Sequence, residues 1–141
     1  MEIEETIALL KSRGYRITPQ RVAILRILKD NTNHPGVEDV FRSVIKIYPN
    51  ISMATVYNVM EVLEREGIIK EIAVSNVSRR YDPDVNPHGH FICRVCEKVF
   101  DVSFSNMRSL GKYSPRELDE FVIESLELIY RGVCKDCKDK T

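Results

Sequence analysis

Four cysteines stand in two pairs, Cys93-Arg-Val-Cys96 and Cys134-Lys-Asp-Cys137. Two residues between cysteines allow a tight turn that presents both thiolates to one point. Two such knuckles complete a tetrahedral four-sulfur shell of the kind that suits zinc. A closed shell leaves no position for water or substrate, so its expected role is structural. The competing reading is a redox-active C-x-x-C pair, but neither pair has the βαβ pattern that would accompany one.

A second constellation takes in all three histidines: His34, and His88-Gly-His90 in the neighbourhood of Asp82, Asp84 and Asp101. Residues two apart on a strand point to the same face, so His88 and His90 can bind one ion together. Carboxylates add hard oxygen donors, and a mixed nitrogen and oxygen shell suits Fe(II), Mn(II) or a related divalent ion better than the thiolate site does. The alternative is that His88-Gly-His90 is a polar loop and His34 caps a helix.

These residues need a scaffold. With 141 residues and 43% hydrophobic content, the chain can bury one modest core or two small ones, and units of about 70 residues commonly need a metal cross-link or a dimer partner for stability. The 21 basic and 21 acidic residues cancel, which excludes a generic polyanion binder; DNA would have to meet a local basic surface, with affinity that falls as salt rises. No apolar stretch approaches the roughly 20 residues of a membrane span, and the opening MEIEETIALLKSRG lacks a basic, cleavable leader. The chain is therefore read as cytoplasmic, a reducing compartment in which its cysteines are better explained by metal than by disulfides.

Helical spacing of Ile3, Ile7 and Leu10 predicts a first helix from Ile3 to Ser12, with Gly14 as its stop. Thr18 and Pro19 open a second helix that runs through Leu28 and breaks at Asn31 and Asn33. A third is expected over Val37 to Ile47, ending ahead of Pro49-Asn50. In a fourth, between Ser52 as N-cap and Gly67 as C-cap, Val56, Val59, Met60 and Leu63 form the buried stripe. Thr55, Tyr57 and Asn58 lie off that stripe near the N-terminal end, where a recognition helix presents side chains to bases. The segments Ile68 to Val74 and Ser78 to Tyr81 then read as a β-hairpin. Helices followed by a hairpin make a winged helix-turn-helix, and Arg13, Arg16, Arg21 and Arg26 offer a phosphate-contacting face, with Arg16 placed to enter a minor groove. A helical bundle with a surface hairpin is the competing reading.

Over nearly its whole length the chain resembles the ferric uptake regulator family, through Arg16-Ile-Thr-Pro-Gln-Arg21, His34-Pro35, Ser52-Met-Ala-Thr-Val-Tyr-Asn58, Gly67-Ile-Ile-Lys70 and His88-x-His90-x-x-Cys93-x-x-Cys96. The resemblance implies an α+β fold: a winged-helix DNA-binding domain over 1–82, a hinge at 83–87, and a small α/β dimerisation domain over 88–141. It implies a homodimer on a double-stranded DNA operator. Structural zinc would be held by Cys93, Cys96, Cys134 and Cys137, and a regulatory Fe(II) or Mn(II) by His34, Asp82, His88, His90 and Asp101. Arg16, Arg21, Ser52, Thr55, Tyr57 and Asn58 form the DNA-facing set. The position of Asp101 carries Glu in typical iron-uptake members and Asp in typical peroxide sensors, so the chain looks most like the peroxide-sensing branch.

Two stretches depart from the family pattern. Pro87 and Gly89 stand where iron-uptake members often have a His and an Asp, and no histidine follows His90, so the third metal site of some relatives is not expected. Ser114-Pro-Arg-Glu117 looks like a capping box, and Leu118, Phe121, Val122, Leu126 and Ile129 keep helical period; the resemblance instead implies a helix before, and a long dimer-forming strand from about Phe121 to Arg131, which is the reading adopted. The function expected is metal-dependent repression that peroxide relieves. The rivals are an iron- or manganese-uptake regulator and, from another class, a His/Asp metallohydrolase. The latter needs an open coordination position and a general base, whereas five ligands nearly fill a shell and no nucleophilic triad is in evidence. No enzyme activity, membrane association or small-molecule substrate is expected.

Overall fold

A computed structural model of the chain describes residues 1–75, 78–103, 115–124 and 126–140. The chain divides into two compact units, Met1–Val85 and Asn86–Thr141.

The first unit holds helices α1 (Ile3–Ser12), α2 (Pro19–Leu28), α3 (Val37–Val44) and α4 (Met53–Arg65), then strands β1 (Lys70–Ala73) and β2 (Arg79–Asp82). Caps set the helix ends. Thr18 accepts a hydrogen bond from the Arg21 N–H at the start of α2, and Ser52 accepts one from the Thr55 N–H at the start of α4. After α4, Gly67 takes φ 71°, and the Gly67 and Ile68 N–H groups turn back to the carbonyls of Glu64 and Leu63 at 2.9 and 2.8 Å. This closure needs the left-handed conformation that glycine adopts without penalty. Leu10, Ile24, Leu25, Leu28, Val56, Met60 and Leu63 are fully buried and pack in one cluster. The wing is antiparallel, with Lys70 opposite Asp82 and Ala73 opposite Arg79.

The third helix is shorter than its apolar spacing suggests. It ends at Val44, whose carbonyl receives the N–H groups of both Ile47 and Tyr48 at 3.0 and 2.9 Å. The chain thus tightens into a turn ahead of Pro49, which disfavours helical geometry in the residue before it.

The second unit is built on a three-stranded sheet in the order β4-β3-β5, with β3 at Gly89–Cys93, β4 at Val99–Val102 and β5 at Ile129–Gly132. β4 runs antiparallel to β3 and β5 parallel to it. The long strand expected from about Phe121 to Arg131 is corrected: among the described residues of this stretch, strand covers Ile129–Gly132, and a short 3-10 turn occupies Arg116–Leu118. The reason is the length of its neighbour. β3 pairs from His90 with Ile129 to Cys93 with Gly132, so its ladder does not extend to the residues before 128. The expected helix ahead of this stretch, and Ser114 of the capping box, lie outside the described residues. No described helix is long and apolar enough to cross a membrane.

The packing of α4 makes a stability difference measurable. Leu63 is completely buried whereas Tyr57 on the same helix is 54% exposed, so Leu63→Ala is expected to cost about 2–5 kcal/mol and Tyr57→Ala to stay within about 0.5 kcal/mol in urea unfolding.

Candidate metal centres and DNA-facing surface

Strand β3 carries ligands of both kinds, and its two-residue period sorts them. His90 lies opposite Asp101 on β4, while the next residue, Phe91, lies opposite Phe100, so the two pairs occupy opposite faces of the sheet. His88, two residues before His90, shares the face of His90; Cys93, two after Phe91, shares that of Phe91.

On the Phe91 face the cysteines converge. The sulfur atoms of Cys93, Cys96, Cys134 and Cys137 all lie within 4.8 Å of one another, packed beside Phe91, Phe100 and Val133. Each knuckle is a tight turn. Glu97, at φ 59°, returns its N–H to the Cys93 carbonyl at 2.9 Å, and the Cys134 carbonyl receives the N–H groups of Cys137 and Lys138, each at 3.0 Å. Ligands about 2.3 Å from a tetrahedral ion stand about 3.8 Å apart, and the Cys96 to Cys134 Sγ distance is 3.8 Å. The set fits zinc.

Its acid–base chemistry points the same way. Backbone N–H groups of Cys96 and then Cys134 stabilise the Cys93 thiolate and bring its pKa down to about 6; the Cys134 N–H lies 3.4 Å from Cys93 Sγ. Cys137 moves in the opposite direction, pushed up to about 12 by its hydrogen bond with the Cys134 side chain and by burial. One thiolate is readily formed, but crowding opposes a second negative charge beside it unless a cation neutralises the group.

On the His90 face, Asp101 Oδ1 lies 3.1 Å from His88 Nε2 and 3.5 Å from His90 Nε2. The two rings meet edge to face with centroids 4.5 Å apart, and His88 Nδ1 lies 2.7 Å from the Asn86 carbonyl, which orients its Nε2 toward Asp101. In the first unit a second pair forms, with His34 Nε2 3.3 Å from Asp82 Oδ2 and both side chains 2% exposed. Neighbouring ligands at about 2.1 Å from an ion stand about 3.0 Å apart in an octahedron and about 3.4 Å apart in a tetrahedron. The trio of His88, His90 and Asp101 and the pair of His34 and Asp82 therefore each have the spacing and the nitrogen and oxygen donors of a divalent-ion site. Asp84 is exposed and contributes its N–H to Asp82 Oδ1 at 2.9 Å.

His34 is held in place by its backbone. At φ 52° it occupies the left-handed region, a strained choice for a residue with a side chain that persists only where neighbours enforce it. They do so here: the Tyr81 N–H of β2 donates to the Pro35 carbonyl at 3.0 Å, and a Cβ on Gly36 would sit 3.2 Å from the Arg79 carbonyl. The loop thus lies directly along the wing strand that carries Asp82.

The residues expected to face DNA have mixed surroundings. Tyr57 and Asn58 are exposed on α4, Thr55 is half-buried, and Ser52 is engaged as the N-cap with its Oγ 2.9 Å from Thr55 Oγ1. Arg16 is exposed. Arg21 donates from Nη1 to the Arg16 carbonyl at 2.6 Å and lies over the Tyr15 ring, so it shapes the segment that presents Arg16. Arg13, part of the expected basic face, is paired with Glu66 at 3.1 Å. Sequence reasoning missed Tyr15, whose hydroxyl donates to Glu66 at 2.8 Å, and the contact between Asp39 and Arg80; such partners, distant in sequence, leave no local periodic signal.

A sequence profile of the ferric uptake regulator family matches residues 12–131. The peroxide-responsive repressor PerR of Staphylococcus aureus is 39% identical over 139 residues, covering 99% of this chain and 93% of the relative. Among solved structures, the Campylobacter jejuni peroxide stress regulator is 30% identical with a TM-score of 0.70, covering 97% of this chain and all of that one (100%). The Helicobacter pylori ferric uptake regulator Fur superimposes with a TM-score of 0.83 at 24% identity, covering 96% of this chain and 91% of that one, a likeness of fold. With a match over most of its length and relatives aligned nearly end to end, the chain belongs to the ferric uptake regulator family.

Proposed function

We propose that this chain is a metal-dependent, DNA-binding transcriptional repressor that responds to peroxide. The observation that carries the reading is the Asp101 carboxylate set against both His88 and His90 at 3.1 and 3.5 Å: a short carboxylate beside two imidazoles makes a site for a redox-active divalent ion, apart from the cysteine site. The 39% identity to the Staphylococcus aureus peroxide-responsive repressor supports it.

In this reading Cys93, Cys96, Cys134 and Cys137 hold zinc as a structural element. His34, Asp82, His88, His90 and Asp101 are ligands of one Fe(II) or Mn(II), and residues 83–87 act as the hinge. Since His34 and Asp82 belong to the winged-helix unit, an ion that also engages the histidines beyond the hinge stabilises only the arrangement able to bind DNA, which is population shift by differential affinity. Bound Fe(II) would supply an electron that cleaves the O–O bond of peroxide, so that one peroxide oxygen could be added to a neighbouring imidazole and the other leave as water. The histidines hold the ion until such damage removes a donor, and repression then ends.

On DNA, Tyr57, Asn58 and Thr55 face the major groove from α4, Ser52 fixes the start of that helix, and Arg21 braces Arg16 toward the backbone or minor groove. A second copy of the chain supplies the other half-site contact. Phe121, Val122, Ile123, Leu126 and Tyr130 are all exposed, Val122 by 90%, an apolar surface of the kind that a homodimer buries.

Three outcomes follow from this reading. Replacing His34 by Ala should lower Mn(II)-dependent operator affinity on the order of tenfold or more, measured by fluorescence anisotropy, with one zinc per chain retained; unchanged affinity would exclude the clamp. Exposure of the Fe(II)-loaded protein to peroxide should add an oxygen atom to His34, His88 or His90 in peptide mass spectra. Intact histidines would favour an iron- or manganese-uptake regulator that senses supply alone. Zinc binding to the cysteines must displace at least the Cys137 proton, so zinc affinity should rise about tenfold or more per pH unit above pH 7. Because Cys93 titrates near 6, the slope should steepen below that pH, where its proton must also leave; a pH-independent affinity would refute the thiolate site.

A further inference from the structure

We propose that Asp39 and Arg80 are positioning residues for the His34–Asp82 half of the regulatory metal site, a latch that locks the His34 loop to the wing strand. The inference rests on the metal-ligand reading above. His34 and Asp82 come from separate segments, and their 3.3 Å approach depends on how the loop lies along β2. The Tyr81 to Pro35 backbone bond fixes that contact at one point, about which the strand could still pivot.

Asp39 supplies the second point. Its Oδ2 accepts from the Gly36 N–H at 2.8 Å and from Arg80 Nη1 at 3.3 Å, so one carboxylate oxygen joins the residue two beyond His34 to the residue two before Asp82. Its other oxygen accepts from Arg42 Nη1, one turn further along α3, at 3.0 Å, which holds the carboxylate in one orientation. Two successive attachments, Pro35 to Tyr81 and Gly36 through Asp39 to Arg80, fix the angle at which the loop lies along the strand, as one could not. With side-chain exposures of 28% and 41%, the ion pair is too solvated to add much to global stability. Its consequence is local: ligands displaced from their productive separation bind an ion more weakly. The latch also makes the half-site and the β1–β2 wing one body, so ion binding at His34 and Asp82 stiffens the hairpin.

The test is a double-mutant cycle in the full-length, zinc-loaded chain, using Arg80→Gln, Asp39→Asn, both together, and Arg80→Lys, with Mn(II) affinity measured by competition against a chromophoric chelator. Asn at 39 keeps an oxygen for the Gly36 N–H while losing the charge. Each single change should weaken Mn(II) binding about three- to fivefold, the scale of an exposed ion pair, the double change should weaken it no further, and Arg80→Lys should restore it. Melting of the Mn(II)-free protein should be nearly unaltered, which separates positioning from a general loss of folding. Amide exchange in β2 should slow on adding Mn(II) to the parent chain and slow less in Arg80→Gln. Parent-like affinity in the single variants, losses that multiply in the double, or failure of Lys to rescue would overturn the latch. A parent chain that takes up no Mn(II) beyond its zinc would instead overturn the metal-site reading on which the latch rests.

Discussion

The two-residue period of β3 is the constraint on which both candidate metal centres depend. A strand must alternate its side chains, and β3 is clamped on both edges, by β4 in antiparallel register and β5 in parallel register. Its ligands therefore cannot mix. His90 and Asp101 are delivered to one face, and Cys93 with the aromatic pair Phe91 and Phe100 to the other. A slip of one residue would turn thiolates toward the carboxylate and imidazoles toward the aromatics. Soft and hard donors stay apart because the backbone separates them, and each site then has its own metal preference.

The described residues of the two units cluster around different kinds of side chain. The winged-helix unit carries a self-sufficient core in which leucines, isoleucines and valines from four helices are wholly buried. Among the described residues of the second unit, the buried cluster around the cysteines consists of Cys93, Cys134 and Cys137, with partly buried Phe91, Phe100 and Val133 packed against it. A cross-link through four sulfurs would stabilise this cluster directly, since metal binding at such a site is coupled to folding. The opposed behaviour of Cys93 and Cys137 expresses the same economy: the backbone prepares one anion, and a cation must draw out the rest.

In the proposed function, regulation depends on where His34 sits. It projects from a strained left-handed position on a loop laid against the wing strand, so the half-site it forms with Asp82 belongs to the DNA-binding unit, next to the hairpin. An ion that engaged these residues, as proposed, would act on the β1–β2 hairpin, which follows α4 directly in the chain. Asp39, which ties that loop to both α3 and β2, gives this arrangement a rigid floor.

Much of this was legible in the chain itself. The cysteine spacing declared a four-sulfur shell, and Thr18-Pro19, Ser52 and Gly67 marked helix ends that the structure reproduces, because caps and knuckles are local and depend on residues a few positions apart. Apolar period located α1, α2 and α4, and the resemblance to the family supplied the pairing of distant histidines and aspartates. Tertiary structure decided what depends on partners remote in sequence. Among the described residues, β5 begins at Ile129, where its parallel register with His90 of β3 starts. Arg13 is drawn to Glu66, and Asp39 reaches Arg80 across the loop. Sequence determined which donors exist and how each local turn presents them; the fold decided which of them meet, since pairing, register and burial are set by neighbours that no short window of sequence contains.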